Sequence, residues 1–437
     1  MAAYAAARTL RASGSDASVT VLEKMPRPGR KIMITGKGRC NFTNLKDWNS
    51  FSAHIRSKAQ FVKPSFYNLT PAALKEFFEE YGMKTVVERG DRAFPASYHS
   101  SEVVDTLVTA AQGAGVHIEC DSEVRDIAAV GGGFTVTLAD SEKYLCGKLI
   151  LATGGLSYPS TGSSGDGYRW AETLGHSIVP TFPSLTALVP KGYKDSTDKG
   201  HLDRSLPLSE LGEKLCGIQL KNIGVSLIVE GTVAQYEFGD LDFTDGGIEG
   251  PVGFQLSRLA VKTMINGSRV SLSLDLKAGV ELTELTQRVK QLWTDIDKDP
   301  RSRGVREKER CRILLGKLMP WELIPAFSAM NPGIITLERR GRADTKVWVN
   351  LVSIAKALKD WRFDIQGYVG YERAVVTAGG VSTEDIVPKT LESRKVKGLF
   401  LCGELVDMDC DTGGYNLQAA FCTGALAGQN AAKQLLE

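Results

Sequence analysis

Residues 218–230, 234–243 and 269–276 alternate apolar and polar side chains in the rhythm of half-buried strands. Other stretches follow the helical period. Residues 1–12 are alanine-rich and predict a helix. Thr70-Pro71 supplies a cap and then proline at the first helical position, after which Leu74, Phe77, Phe78 and Tyr81 form an apolar face. Ser100 or Ser101 is expected to cap a further helix whose Val103, Val104, Leu107 and Ala111 face inward. Leu282, Leu285, Val289 and Leu292 share one face of a helix over residues 281–293. Residues 313–330 predict two short helices broken by Pro320 and Pro325, and residues 351–358 another. Residues 295–309 are charged and read as solvated. Apolar runs at Val19–Leu22, 149–155 and Leu399–Leu401 predict buried strands. A hairpin is expected over residues 122–140 around Gly131-Gly132-Gly133, a turn over 243–257 around Gly246-Gly247, and a strand ending in a glycine turn over 368–381.

The character of the chain changes near residues 183–188 and changes back near 370. The fold class this implies is α/β. A first domain, residues 1–185 plus 371–437, is interrupted by a mostly β insert domain, residues 186–370, with a helical part near 280–330.

Candidate chemistry concentrates in the glycine turns. After Leu399–Leu401 come Gly403-Glu404, a polar loop, and Gly413-Gly414-Tyr415-Asn416 opening a helix rich in small apolar residues. Strand, acid, paired glycines and helix start form a recurrent way to hold a flavin: backbone N–H groups and the helix dipole favour negative charge there. Glu404 can accept hydrogen bonds from ribityl or sugar hydroxyls. Glu23, at the end of a strand, suits the ribose acid of a dinucleotide fold. Arg27, Arg30 and Lys31 precede the turn Gly36-Lys37-Gly38 and suit a pyrophosphate. Cys40 invites either a redox role or packing beside a cofactor. The turn Ala152-Thr153-Gly154-Gly155 follows a buried strand, and Val124 is the candidate to present a backbone edge to an adenine. The 161–167 loop lacks the lysine of a nucleotide phosphate loop, so it reads as a loop at a cofactor edge. The glycine fingerprint expected ahead of the first helix is absent, as though the first strand and phosphate turn, roughly 15 residues, were missing. On that reading the chain holds FAD poorly.

With 53 basic and 51 acidic residues the chain gives no electrostatic reason to bind nucleic acid. No apolar run is long enough to span a membrane, and the first residues lack the apolar core of a signal peptide. Eight cysteines without a CxxC pair and five dispersed histidines suggest neither disulfides nor a metal site, so a cytoplasmic protein with reduced thiols is expected.

GRKIMITGKGRCNFTN (29–44), RAFPAS (92–97), ILATGG (150–155), TGSSGDGY (161–168), VTAGGV (376–381) and GELVDMDCDTGGYNLQAAFCTG (403–424) together resemble the bacterial BaiN-, RdsA- and aminoacetone-oxidase-like FAD-dependent oxidoreductases. The resemblance covers nearly the whole chain and implies that residues 1–185 plus 371–437 form a Rossmann-like FAD-binding domain interrupted by the insert. It implies FAD carried by Glu23, by Gly36, Gly38, Arg39, Cys40 and Asn41, by Ala152, Thr153, Gly154 and Gly155, and by Gly403, Glu404, Thr412, Gly413, Gly414, Tyr415 and Asn416. Lys24, Arg30, Lys31 and Val124 complete the candidate set. It implies hydride transfer at flavin N5 with a small-molecule substrate. Three readings stand side by side: a reductase of an unsaturated substrate with NAD(P)H as transient electron donor, an aminoketone oxidase using oxygen, and a non-catalytic flavin-binding protein. Phe182, Phe243 and Tyr368 either line a substrate pocket or fill core, and Tyr415, Asp407, Asp409 and Asp411 lie in the flavin loop without a distinct catalytic role.

Overall fold

The computed structural model of the chain describes residues 1–340 and 344–437. These form two compact units, Met1–Ser184 with Ala374–Glu437, and Leu185–Arg373.

The first unit is Rossmann-like. Val19–Leu22 pairs in parallel with Val116–Glu119, and Leu149–Leu151 in parallel with Leu399–Leu401. Leu399–Leu401 is fully buried and uniformly apolar, as a parallel strand covered on its faces is, whereas Val116–Glu119 alternates and Val19–Leu22 is only half-buried. The first helix, Ala2–Ala12, packs on the C-terminal helix, Tyr415–Leu436. Small residues allow this approach: a Cβ on Gly428 would strike the backbone carbonyl of Ala2. One apolar cluster, with Phe51, Phe66, Phe400 and Tyr415, lies under the start of the C-terminal helix; another gathers Cys40, Phe42, Leu74, Phe78 and Phe421. The Pro71–Glu80 helix begins as expected, with the Thr70 hydroxyl accepting from the Ala73 N–H. Thr70→Ala is therefore expected to lower stability by about 1 kcal/mol, read from a denaturation midpoint, without changing cofactor retention.

Several elements differ from expectation. The Ser100–Gly113 helix starts at Ser100 itself, whose hydroxyl donates to the Met33 carbonyl instead of capping the helix. The predicted hairpin, Val124–Val130 with Gly133–Leu138, gains a third strand, Lys143–Cys146. Val376–Val381, expected to end in a glycine turn, is a buried strand antiparallel to Ile178–Ser184. Its glycines serve close approach: a Cβ on Gly379 would strike the Pro180 backbone, and one on Gly380 the Leu405 carbonyl.

The second unit is built on a closed barrel among the described residues. Leu188–Pro190, Gly247–Glu249, Thr232–Thr244, Gln219–Val229, Val270–Asp275 and Trp361–Val369 pair in sequence, and the last pairs back to the first. Closure removes exposed strand edges. Phe243 sits within it beside Tyr193, Trp361 and Phe363 and is core; Tyr368 is buried as well. The expected turn around Gly246-Gly247 joins Thr232–Thr244 to Gly247–Glu249, and the residues after it form the unexpected helix Gly250–Ile265. Pro251 opens it, and Val252, Leu256 and Ala260 recur at helical spacing behind a glycine-rich start that disguised the period. Pro325 likewise starts the Ile324–Met330 helix rather than breaking one, and part of the charged 295–309 stretch is helical at both ends. No helix among the described residues is long and apolar enough to cross a membrane.

Candidate functional site

Three glycine-bearing segments of the first unit converge. The turn Thr35–Gly38 holds Gly36, Lys37 and Gly38 at positive φ. The chain then enters Asn41 to Asn44, which lies against the 412–414 loop. Asn44 Nδ2 donates to the Gly413 carbonyl at 3.0 Å, and Thr43 Oγ1 donates to Gln418 Oε1 at 2.6 Å. Gly413 and Gly414 have φ of 118° and 94°. Gly414 has no room for a side chain: a Cβ would lie 2.6 Å from the Thr43 carbonyl and 2.8 Å from Asn41 Oδ1. Gly414 is also the N-cap of a 22-residue helix, with no side chain capping it. Its first N–H groups face this junction with the positive end of the helix dipole behind them.

Glu404 ties in the third segment. Its Oε2 meets Lys31 Nζ at 2.6 Å and its Oε1 accepts from the Thr377 N–H at 2.7 Å. A Cβ on Gly155 would lie 2.5 Å from Thr377 Oγ1 and 3.1 Å from Glu404 Oε1. Thr377 Oγ1 in turn accepts from the Leu156 and Ser157 N–H groups, at 2.8 and 3.1 Å. The Thr153 turn and the Gly403-Glu404 corner are thereby locked together through Thr377, which the sequence reading had not singled out.

Two polar atoms are left buried without a partner in this region, Asn41 Oδ1 and Thr153 Oγ1. Buried polar atoms are ordinarily bonded, and an orphan at a convergence of glycine turns marks a position completed by a ligand. Polar acceptors, paired glycines and an uncapped helix start match the donor and acceptor needs of a flavin dinucleotide, so these residues fit FAD.

The remaining candidates fall in different places. Glu23 ends its strand and accepts from the Met25 N–H at 2.9 Å. Burial pushes its carboxyl above the usual range, against the Met25 hydrogen bond and the charges of Lys24 and Arg30. Lys24 Nζ bonds Asp166 Oδ2 at 2.7 Å and also Ser164, which brings the 161–167 loop to the strand end. Arg30 opens the short Arg30–Ile34 helix. Arg39 does not join the cradle: its guanidinium lies over the rings of Phe94 and Tyr98, 5.2 and 5.8 Å away. Cys40 is fully buried in the apolar cluster, and burial pushes its thiol up to about 11, which leaves packing as its role. Ala152 is exposed, Gly154 has φ of 73°, and Thr412 is half-buried before Gly413. Gly403 donates its N–H to Thr423 Oγ1 at 3.1 Å. Asn416 spends its amide on the loop itself, bonding the Cys410 N–H and the Cys410 and Asp411 carbonyls. Val124 pairs with Leu138 at the start of the hairpin.

Sequence reasoning also missed a polar cluster beside Tyr415. Asp411 receives Arg56 Nε and Nη2 at 2.5 and 2.6 Å and His54 Nδ1 at 3.0 Å. The His54 ring stacks on Tyr415, with centroids 4.2 Å apart and planes inclined 19°. No local motif announces this, because His54 and Asp411 lie 357 positions apart.

Comparison with known proteins gives consistent results. The family described as HI0933-like protein Rossmann domain matches residues 1–430. A 3-dehydro-bile acid delta(4,6)-reductase of Clostridium scindens is 30% identical over 434 residues, covering 99% of this chain and 96% of the relative. A ribosomal RNA dihydrouridine synthase of Escherichia coli is 28% identical over 413 residues, covering 94% and 91%. Among solved structures, the E. coli quinol fumarate reductase subunit FrdA overlays with a TM-score of 0.47 at 14% identity, covering 100% of this chain and 68% of that one.

Proposed function

Because this chain belongs to the HI0933-like Rossmann-domain family of FAD-dependent oxidoreductases, we propose that it reduces a carbon–carbon double bond conjugated to a carbonyl, with NAD(P)H as the transient electron donor. The observation that carries the cofactor assignment is the orphaned Asn41 Oδ1 beside Gly414, at the junction of the glycine turns. The reductase reading is supported by the names of the relatives. One acts on a 3-dehydro bile acid with delta(4,6) unsaturation and the other makes dihydrouridine. In both, the double bond to be saturated is conjugated to a carbonyl.

FAD bound here would supply hydride transfer at its N5. The chain's own residues hold and bias it. Glu23 and Glu404 accept hydrogen bonds from ribose and ribityl hydroxyls, with Lys31 offsetting the Glu404 charge. Asn41 and Thr153 gain the partners they lack. The helix start behind Gly413-Gly414 favours negative charge on the ring.

Thr153→Val is expected to act with opposite signs on the two forms. It removes an unpaired buried hydroxyl and stabilises the protein without FAD by about 1 kcal/mol, yet weakens FAD binding about tenfold. Paired denaturation and fluorescence-quenching titrations check both.

The activity is tested by anaerobic spectroscopy. NAD(P)H should bleach the flavin, and a conjugated enone should restore its colour. Bleaching by an aminoketone followed by reoxidation with oxygen would instead establish the oxidase. An RNA uridine as substrate is a second reading, favoured by the E. coli relative's name. A salt-sensitive mobility shift with ribosomal RNA fragments would support it, and no shift at low salt would remove it.

A further inference from the structure

Reduction of a conjugated double bond needs a proton as well as a hydride, and none of the residues that cradle the flavin supplies one. The cluster beside Tyr415 has the composition for it. Residues 54–56 run alongside the flavin loop: Ile55 and Cys410 form an antiparallel bridge, the Asp411 N–H donates to the His54 carbonyl at 2.9 Å, and the Arg56 N–H to the Asp409 carbonyl at 2.9 Å. Asn416 fastens the same loop from the other side.

Within this frame Asp411 is 3% exposed, and His54 is 30% exposed. Arg56 grips both Asp411 oxygens, and the carboxylate can swing neither to solvent nor to a ligand. What remains is to fix the imidazole. A carboxylate at Nδ1 selects the tautomer that carries its proton there and leaves Nε2 as the exchanging nitrogen. The stack on Tyr415 fixes the ring plane as well. Tyr415 is the residue directly after Gly413-Gly414 and its ring lies against Gly413, so the Tyr415 ring links the oriented imidazole to the turn that fits the flavin.

Tyr415 is a poorer donor. Burial, and secondarily the Asp411 charge, push its phenol upward, so it holds its proton at neutral pH. Imidazole is the side chain suited to giving up and regaining a proton in that range.

We propose that His54 is the proton donor of the reduction and that Asp411 is the residue that positions it. The inference rests on the reductase reading. In the step, a hydride from the reduced cofactor forms a C–H bond at the β-carbon and the π pair moves to the α-carbon. That pair takes the proton from Nε2 of the doubly protonated His54 ring, whose N–H electrons stay on the nitrogen and leave the neutral ring with its proton on Nδ1. The cofactor is left oxidised, the product saturated, and neutral His54 regains its proton from water.

Two measurements test this. In the chain without FAD, nitrogen-15 NMR of the imidazole should show a proton on His54 Nδ1, lost or shifted in Asp411→Asn. An Nδ1 without its proton in the unaltered chain would overturn the positioning role. In the reduced FAD-loaded protein, reoxidation by cyclohexenone under nitrogen should be slowed roughly hundredfold in His54→Gln, which keeps an N–H but cannot release a proton, and roughly tenfold in Asp411→Asn. Ferricyanide, which needs no substrate proton, should reoxidise all forms within about twofold of one another. Equal cyclohexenone rates in His54→Gln and the unaltered chain would overturn the assignment, as would a loss of rate confined to Tyr415→Phe. If His54→Gln fails to hold FAD, Asp411→Asn with the NMR readout decides. An unaltered reduced protein inert to cyclohexenone would remove the enone-reductase reading and the proton donor with it.

Discussion

Gly414→Ala is expected to destabilise the protein by roughly 3 kcal/mol and to abolish flavin retention. The two effects have one origin. Gly414 sits at φ of 94°, where an L side chain is strained, and its missing Cβ is replaced by the Thr43 carbonyl 2.6 Å away and Asn41 Oδ1 2.8 Å away. Asn41 Oδ1 ends a side chain and can turn aside, but the Thr43 carbonyl is backbone and cannot. Thr43 is backbone held by its own hydroxyl on Gln418, and Asn44 anchors the Gly413 carbonyl. An added methyl must therefore push the 41–44 segment away from the helix start, which opens the junction the cofactor is expected to fill. Urea denaturation and gel filtration with FAD check the two halves separately. A variant as stable as the parent and equally yellow would show that the contact between Gly414 and residues 41–43 does not shape the site.

Glu404→Ala should cost about 2 kcal/mol and weaken FAD binding about a hundredfold. The carboxylate connects Lys31 at 2.6 Å with the Thr377 N–H at 2.7 Å. Its removal strands a partly buried ammonium and a buried backbone donor, and the unpaired groups dominate the loss. It also frees Thr377, whose hydroxyl pins the turn after Gly155. Lys31→Met separates the contributions. It removes the cation but leaves the Thr377 hydrogen bond, so it should cost less stability than Glu404→Ala. Equal losses from both would place the energy in the ion pair alone.

Local elements were legible where one segment decides its own structure. Thr70-Pro71 announces a helix start, Val19–Leu22 a strand ending at Glu23, and the alternation of 219–229 a barrel strand. Reading failed where glycine does two jobs. Gly379-Gly380 look like a turn signal, yet they let strand backbones approach. Barrel closure was invisible because it depends on Leu188–Pro190 meeting Trp361–Val369 across most of the insert. At the site, the glycine turns were readable as motifs because their chemistry lies in the backbone. Thr377, which joins two of them, and the His54–Arg56–Asp411 cluster were not, since each acts through a partner hundreds of residues away.

The central claim is that the first unit holds FAD in the junction of residues 36–44, 153–155 and 403–416. The most direct measurement is the visible spectrum of the purified chain after incubation with FAD and gel filtration, for the parent and for Gly414→Ala. The account predicts flavin absorption eluting with the parent and none with the variant. Flavin absent from a folded parent, or retained equally by both, would contradict it.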